Sequence, residues 1–190
     1  MKGIIRKYHA DPTPEDLRDC ADKSGCTELI SDPDFWSNRF PIWSICGPYV
    51  RNNLKKDDII FFLPNKKSLA RLKLVEPICT GVLYVSEIIY NSDQLRKKVD
   101  EGYYKKYIID LRNHLREDAK RTIRTKEIRN KNIVIGDNEK SRWLGENYKE
   151  LKPLIEPLDK KLYCKICSNR IVEYLREDIT RKIYEGIIGI

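Results

Sequence analysis

The stretch FWSNRFPIWSICGPYVRNNLKKDDIIFFLP, residues 35–64, concentrates aromatic, basic and turn-forming residues more densely than any other part of the chain. Residues 42–46 form a short apolar run between Pro41 and a Gly-Pro pair, which predicts a strand. Residues 54–58 are polar and predict a turn into a second apolar strand at 59–63. The segment therefore predicts a strand, a turn region that contains Arg51, and another strand.

Further strands are predicted on both sides of this segment. Residues 3–8 predict an opening strand, and residues 78–90 predict a long strand that bends at Gly81. Residues 70–74 alternate apolar and basic side chains, which is typical of a half-buried strand, and residues 132–136 predict one more. This order, with a late run of helical segments, favours an α+β fold over an alternating α/β fold.

Helical spacing appears in three parts of the chain. Residues 13–22 begin with a capping threonine and a proline, and residues 92–130 contain a capped segment followed by an apolar stripe. Residues 171–184 return to the same spacing. At 190 residues the chain has the length of one domain. We therefore expect one domain over residues 1–190, with a helical insertion at about 92–130 and a C-terminal helix at about 170–186.

The central segment resembles a motif of the PUA-like small barrels, a group that is close to the ASCH, EVE and YTH domains and includes the nucleotide-modification-associated domains. In those proteins a "leu-x-x-cys-lys-pro-x-ile-arg" stretch precedes "gly-asp-x-ile". The matching residues here are Ser44, Ile45, Pro48, Val50, Arg51, Asp58 and Ile59. Asp57 stands where the family usually has glycine, and Trp143, ahead of Gly145, resembles the end of a late strand in the same group. The resemblance implies a small PUA-like β-barrel with flanking helices that recognises modified bases and is not an enzyme.

The charge of the chain points to a polyanionic partner. There are 37 Lys and Arg residues against 29 Asp and Glu, for a net charge of +8, which favours nucleic acid first and an anionic membrane second. The alternative is a highly charged surface such as thermophilic proteins carry. No window has the roughly 18 apolar residues of a membrane span, and the N-terminus lacks the apolar core of a secretory signal. We expect a cytoplasmic protein that binds RNA or DNA and no membrane, with its oligomeric state open.

A protein that recognises a modified base needs aromatic faces to hold the base outside its stack and polar groups to match its edge. The residues predicted for this pocket are Trp36, Trp43 and Trp143 as walls, Ser44, Asn52, Asn53 and Asn65 as partners of the base edge, and Arg39 and Arg51 as phosphate ligands. For each tryptophan the alternative is packing in the core. For Arg51 the alternative is an ion pair with Asp57 or Asp58 across the turn.

A basic run at residues 120–131 extends the predicted binding surface. On a continuous helix, Arg121, Arg124 and Arg129 would lie roughly on one side, where they are able to track phosphates. The alternative is an ordinary solvated helix face.

The cysteines suggest half of a metal site. Cys164 and Cys167 form a CxxC pair, and Cys20 with Cys26 is the only candidate for the other half of a zinc site. The alternative, which we favour, is ordinary thiols, so we assign neither a metal nor a cofactor. Cys46 and Cys79 lie in predicted strands, where we expect core packing.

Enzyme motifs are few. No histidine is followed two residues later by glutamate, as zinc deaminases require, and no Gly-rich phosphate loop, nucleophile elbow or zinc-protease motif occurs. We assign no catalytic residue. Two alternatives to base recognition stay open. One is a small nuclease, either with Asp57, Asp58 and Glu76 around a divalent metal or, as the ASCH resemblance implies, a metal-free ribonuclease. The other is a non-catalytic protein-interaction module.

Overall fold

The computed structural model describes residues 1–8, 35, 41–43, 48–90, 94, 133–168 and 172–189. These residues form two compact units. The first unit holds residues 1–8, 57–84, 139–168 and 172–189, and the second holds residues 35, 41–43, 48–56, 85–90, 94 and 133–138. Helices and strands are mixed along the chain, so the predicted α+β class is confirmed. The extent of the domain stays a prediction.

A mixed sheet forms the centre of the first unit. Strand β1 (Gly3–Tyr8) runs parallel to β3 (Ile59–Pro64) and antiparallel to β9 (Val172–Leu175). On its other side, β3 pairs antiparallel with the start of β5 (Gly81–Ile89), which also pairs with β7 (Arg142–Trp143). The strand order in this unit is therefore β7-β5-β3-β1-β9, and no pairing between described residues joins the two edge strands. The strands predicted at 3–8 and 59–63 are confirmed.

Strand β3 is buried along its whole length, which explains its unbroken run of apolar residues. Three short or medium helices, α3 (Lys152–Ile155), α4 (Lys160–Cys167) and α5 (Glu177–Ile188), contribute side chains to the same core. The core residues of this unit are Ile5, Ile59, Phe61, Leu63, Cys79, Val82, Leu151, Ile155, Leu162, Tyr163, Ile166, Leu175, Ile179, Ile183 and Ile187. Cys79 lies in this core as predicted, and burial raises the pKa of its thiol to about 12.

The C-terminal stretch divides into a strand and a helix, whereas its spacing predicted a helix throughout. Residues 172–175 extend along the edge of β1, because pairing there satisfies their backbone hydrogen-bonding groups. Helix α5 follows and buries Ile179, Ile183 and Ile187, which recur at every fourth residue. The helix ends at Gly189, whose φ of 80° is the left-handed conformation that glycine adopts without strain.

Residues 70–74 are not the strand that their alternation predicts. Helix α2 (Lys66–Arg71) covers the first part, and the chain then leaves the helix through Lys73, which has a φ of 58°. The amide of Lys73 donates to the carbonyl of Ala70 at 3.1 Å, and the amide of Leu74 donates to that of Leu69 at 2.9 Å. These two bonds are those of a Schellman helix end. The prediction was wrong because no glycine marks this end in the sequence.

The long strand predicted at 78–90 is two strands. Strand β4 (Ile78–Cys79) pairs with β8 (Lys149–Glu150), and β5 begins after Thr80. At this break the Thr80 amide donates to the Phe62 carbonyl at 2.9 Å. The break lies one residue before Gly81, where the sequence predicted a bend.

The second unit contains the remaining described strands. Strand β2 (Ile42–Trp43) pairs antiparallel with β6 (Ile133–Gly136), and β6 pairs with the end of β5, where a bulge lies between Val85 and Glu87. Helix α1 (Pro48–Arg51) follows β2 in the chain. The strands predicted at 42–46 and 132–136 are confirmed over residues 42–43 and 133–136.

Some predicted elements lie outside the described residues. They include the helix at 13–22, the basic run at 120–131 and all of the insertion at 92–130 except Gln94. Among the described helices, none has the length and hydrophobicity needed to cross a membrane.

Candidate functional site

Two residues of the second unit that were predicted to form the binding pocket are buried. The Trp43 side chain is 1% exposed and the Arg51 side chain is 0% exposed, so neither is open to a ligand in this conformation. Asn52 and Asn53 follow Arg51 on the exposed turn after α1. For Trp43, this burial matches the alternative of core packing.

The other two described candidates belong to the first unit. The Trp143 ring lies against Gly81 of the neighbouring strand, where a β-carbon would stand 2.5 Å from ring atom Cε3. Asn65 caps helix α2, because its Oδ1 accepts the Ser68 amide at 3.0 Å. The remaining predicted ligands, Trp36, Arg39, Ser44, Arg121 and Arg124, lie outside the described residues.

The three carboxylates of the alternative nuclease are engaged by different partners. Asp57 accepts the Tyr84 hydroxyl at 3.1 Å, and Asp58 accepts the Lys2 amide at 2.9 Å. Glu76 accepts the Lys152 ammonium at 3.0 Å. In the described part of the chain, no group of three or more His, Cys, Asp and Glu side chains is placed to hold a metal ion.

The zinc site that was weighed against ordinary thiols has no second pair of ligands among the described residues. Cys164 and Cys167 are free, exposed thiols on helix α4. Cys20 and Cys26, the proposed second pair, lie outside the described residues.

The first unit contains an open cleft of about 340 Å³ at one edge of its sheet. Because β1 and β3 are parallel and in register, their C-terminal ends reach this edge together. Helix α2 and the end of α4 complete the walls. The cleft is lined by Lys7, Pro64, Lys66, Leu69, Ala70, Lys73, Leu74, Val75, Pro77, Ile166 and Cys167. We call this site the lysine cleft.

The lining combines positive charge with apolar walls. Three of its residues are lysines, none is acidic, and most of the others are aliphatic. Val75 in this lining is 90% exposed, so the apolar part of the lining reaches the protein surface. Such a surface fits a ligand that has both an anionic and an apolar part.

Lys7 is the buried cation of the lysine cleft, with 8% of its surface exposed. Its Nζ donates to the backbone carbonyls of Ile166 and Ser168, at the end of helix α4. The last carbonyls of a helix have no partner within the helix, so Lys7 caps this end. Burial lowers the pKa of Lys7, and the nearby Cys167 opposes that shift.

Lys66 and Lys73 are the exposed cations of the cleft. Neither forms a salt bridge with any residue that the structure describes. Their charges are therefore available to a ligand. The capping bond of Asn65 fixes the start of α2, which carries Lys66 and leads to Lys73.

The one carboxylate in residues 64–77 is neutralised by other groups. Glu76 accepts hydrogen bonds from the Tyr163 hydroxyl and from Lys152. Both hydrogen bonds lower the pKa of Glu76, and the bond from Tyr163 has the larger effect. The carboxylate therefore stays ionised and paired. It is not part of the cleft lining, and it leaves the positive charge of the lysines uncompensated there.

Lys73 occupies a backbone conformation that glycine would adopt more easily. At the left-handed helix end a non-glycine residue costs about 1–2 kcal/mol. A strained residue that carries a cation to the margin of a cleft is typical of a functional position. Nothing in the sequence pattern around Lys73 indicates this conformation.

Replacing Lys73 with glycine should therefore stabilise the protein by roughly 0.5–1 kcal/mol, since the relief of strain exceeds the greater chain entropy of unfolded glycine. Urea denaturation measures the change. Ala70→Gly, inside helix α2, is the matched control and should destabilise by about 0.5–1 kcal/mol. A loss of stability in Lys73→Gly would contradict the strained conformation.

Comparison with known proteins assigns no family to the chain. The function must be argued from the chemistry of its own residues. No protein-family model, no curated protein and no solved structure matches it.

Proposed function

We propose that this protein binds nucleic acid and that the lysine cleft is a contact site for the phosphate backbone. The observation that carries the proposal is a lining with three lysines and no acidic residue, in a chain with a net charge of +8. Lysine ammonium groups are common ligands of phosphate oxygens, and basic surfaces supply most of the affinity for nucleic acid.

The apolar walls favour a nucleotide over an inorganic anion. A phosphate or sulfate ion would use the lysines but not the aliphatic side chains of Leu69, Leu74 and Ile166. A nucleobase has an apolar face that can pack on such side chains while its phosphate lies on the lysines.

A PUA-like barrel that recognises a modified base is the finer form of this proposal. Support comes from Asp57, at the position where the resemblance has glycine. Its φ of 69° lies in the left-handed region that glycine favours. The next residue, Asp58, ties the turn to the start of β1 through the Lys2 amide. A left-handed residue at the position of the family's glycine supports the proposal.

Salt dependence tests binding by the lysines. The affinity of the protein for a labelled single-stranded oligonucleotide should fall as salt rises, with a log–log slope of about −0.7 for each phosphate that the lysines contact, up to about −2 for three. Fluorescence anisotropy between low and physiological salt measures this slope. An affinity that does not change with salt would contradict phosphate contacts. The same samples, incubated with and without Mg²⁺, should keep the oligonucleotide intact, because a binding module leaves its ligand whole.

Recognition of a modified base has its own test. Oligonucleotides that contain methylated adenine, methylated cytosine or hydroxymethylated cytosine are compared with unmodified ones, in single-stranded and double-stranded form. We expect one modification to bind about tenfold more tightly, the equivalent of one good contact of about 1.4 kcal/mol. Equal affinity across the series would contradict recognition of a modified base, although the protein would still bind nucleic acid in general.

A further inference from the structure

The lysine cleft has one buried cation and two exposed ones. Lys7 is largely buried, whereas Lys66 and Lys73 are exposed. An ammonium group has three N–H donors, and the carbonyls of Ile166 and Ser168 take two of those of Lys7. No other described residue accepts from Lys7, so its third donor has no partner in the part of the chain that the structure describes.

The size of the cleft limits how much of a ligand it can hold. Its volume of about 340 Å³ is near the lower end of the roughly 300–1,000 Å³ that is typical of small-molecule sites. That volume suits one nucleotide unit and not several. An internal phosphodiester is esterified on two sides, whereas a terminal phosphate is esterified on one side only and presents its other oxygens to the buried Lys7 ammonium.

The phosphate within a strand and the phosphate at its end differ in charge. A phosphodiester in a strand has one negative charge, whereas a phosphomonoester has about −1.5 to −2 at pH 7 and three acceptor oxygens. Three lysines, with no carboxylate in the lining, match the larger charge.

We infer that the lysine cleft binds a terminal nucleoside phosphate, with the phosphomonoester on the lysines and the base on the aliphatic walls. The inference rests on the proposed function, because it names the part of a nucleic acid that this same site takes. Two sources share this chemistry: the phosphorylated end of a strand and a free mononucleotide.

Four probes test the inference by fluorescence anisotropy and competition. Three are oligonucleotides of one sequence, with a 5′-phosphate, a 3′-phosphate or hydroxyls at both ends, and the fourth is uridine monophosphate. We expect one phosphorylated end to bind about tenfold more tightly than the hydroxyl ends. Tight binding of uridine monophosphate without an effect of end phosphorylation would identify the free nucleotide as the source. Equal affinity of the three oligonucleotides, together with no binding of the mononucleotide, overturns the inference.

The chain supplies its own probe of where the ligand lies. Cys167 is an exposed thiol in the cleft lining, and Cys164, three residues earlier on the same helix, is exposed but outside the lining. With phosphorylated ligand at about ten times its Kd, alkylation of Cys167 should slow about tenfold, since only free protein leaves this thiol accessible. Alkylation of Cys164 should not change.

Mass spectrometry reads the two thiols separately, because trypsin cleaves after Lys165 and leaves Cys164 and Cys167 on different peptides. Protection of both thiols to the same extent, or of neither, would overturn binding in the cleft. The measurement uses the unmodified chain and does not depend on a variant that folds.

Two variants test the role of the cations. Lys73→Gly removes one exposed charge without loss of a packed side chain, and it should lose most of the preference for a phosphorylated end. Lys182→Ala, at an exposed position of α5 outside the cleft lining, is the control and should keep that preference. An unchanged preference in Lys73→Gly contradicts the inference.

Failure of the inference differs from failure of the proposed function. The protein could bind oligonucleotides without any effect of end phosphorylation and without protection of Cys167. That result would contradict binding of a terminal nucleotide in the cleft, but the protein would still bind nucleic acid. The absence of binding to all oligonucleotides removes the proposed function itself.

Discussion

The double variant Lys66→Glu/Lys73→Glu should bind single-stranded oligonucleotides about 100-fold more weakly than the unmodified protein. Each substitution removes a charge-assisted contact to phosphate and places a negative charge in its position. A lost contact of this kind costs on the order of 1.4 kcal/mol, which is tenfold in affinity. Neither lysine forms a salt bridge with a described residue, so the loss measures ligand contacts and not a broken ion pair.

A matched control keeps the same change in net charge. Lys160 and Lys182 are exposed on α4 and α5, outside the cleft lining, so Lys160→Glu/Lys182→Glu changes the net charge equally. We expect this control to lose less than about fivefold in affinity, through long-range electrostatics alone. The cleft variant should also fold, because a glutamate in the first turn of α2 is favourable there. Equal losses in both double variants would show that only net charge matters, which contradicts a specific site.

The second large effect is expected at Arg51, and it concerns stability. Its side chain is completely buried beside Val50 and Leu54, which are also buried. A guanidinium is charged at every accessible pH, and a buried charge is tolerated only when it is paired. Arg51 has an interaction partner, and Arg51→Ala would leave this buried partner unsatisfied, so we expect a loss of about 3–5 kcal/mol in the free energy of unfolding. Urea denaturation, followed by tryptophan fluorescence, measures this loss.

Arg181→Ala is the control for this experiment. Arg181 is exposed and pairs with Glu177 one turn away at 3.2 Å, and such a surface pair contributes only about 0.3–0.5 kcal/mol. The sequence motif instead implies that Arg51 holds a phosphate. If Arg51→Ala is as stable as the unmodified protein but binds oligonucleotides more weakly, the result would support phosphate binding by Arg51. It would contradict the structural role that we expect for this residue.

The central strands of the first unit were predictable because their signals are local and strong. Residues 3–8 and 59–63 are rich in β-branched and aromatic side chains, and both form strands. Two other segments have ambiguous local patterns. Residues 172–175 have helical spacing, but the free edge of β1 makes them a strand. Residues 70–74 alternate like a strand, but the cap at Asn65 and the left-handed Lys73 make them a helix end.

The lysine cleft could not be predicted from the sequence because its parts are distant along the chain. Lys7 donates to the carbonyl of Ile166, which lies 159 residues later. Only the parallel pairing of β1 with β3 brings Lys7 to the edge where α2 begins. Sequence patterns drew attention to tryptophans and arginines, whereas the described site is made of lysines and aliphatic residues. The net charge, the basic run at 120–131 and the family resemblance all indicated a nucleic-acid ligand, but none of them pointed to the residues of this cleft.

Photo-crosslinking tests the central claim most directly. A single-stranded oligonucleotide that carries a photoreactive base is bound to the unmodified protein, irradiated and digested, and the crosslinked residues are identified by mass spectrometry. If the lysine cleft is the binding site, crosslinks will fall in residues 64–77 and at Ile166 or Cys167. Crosslinks confined to residues outside the cleft lining, such as those of helix α5, would contradict it.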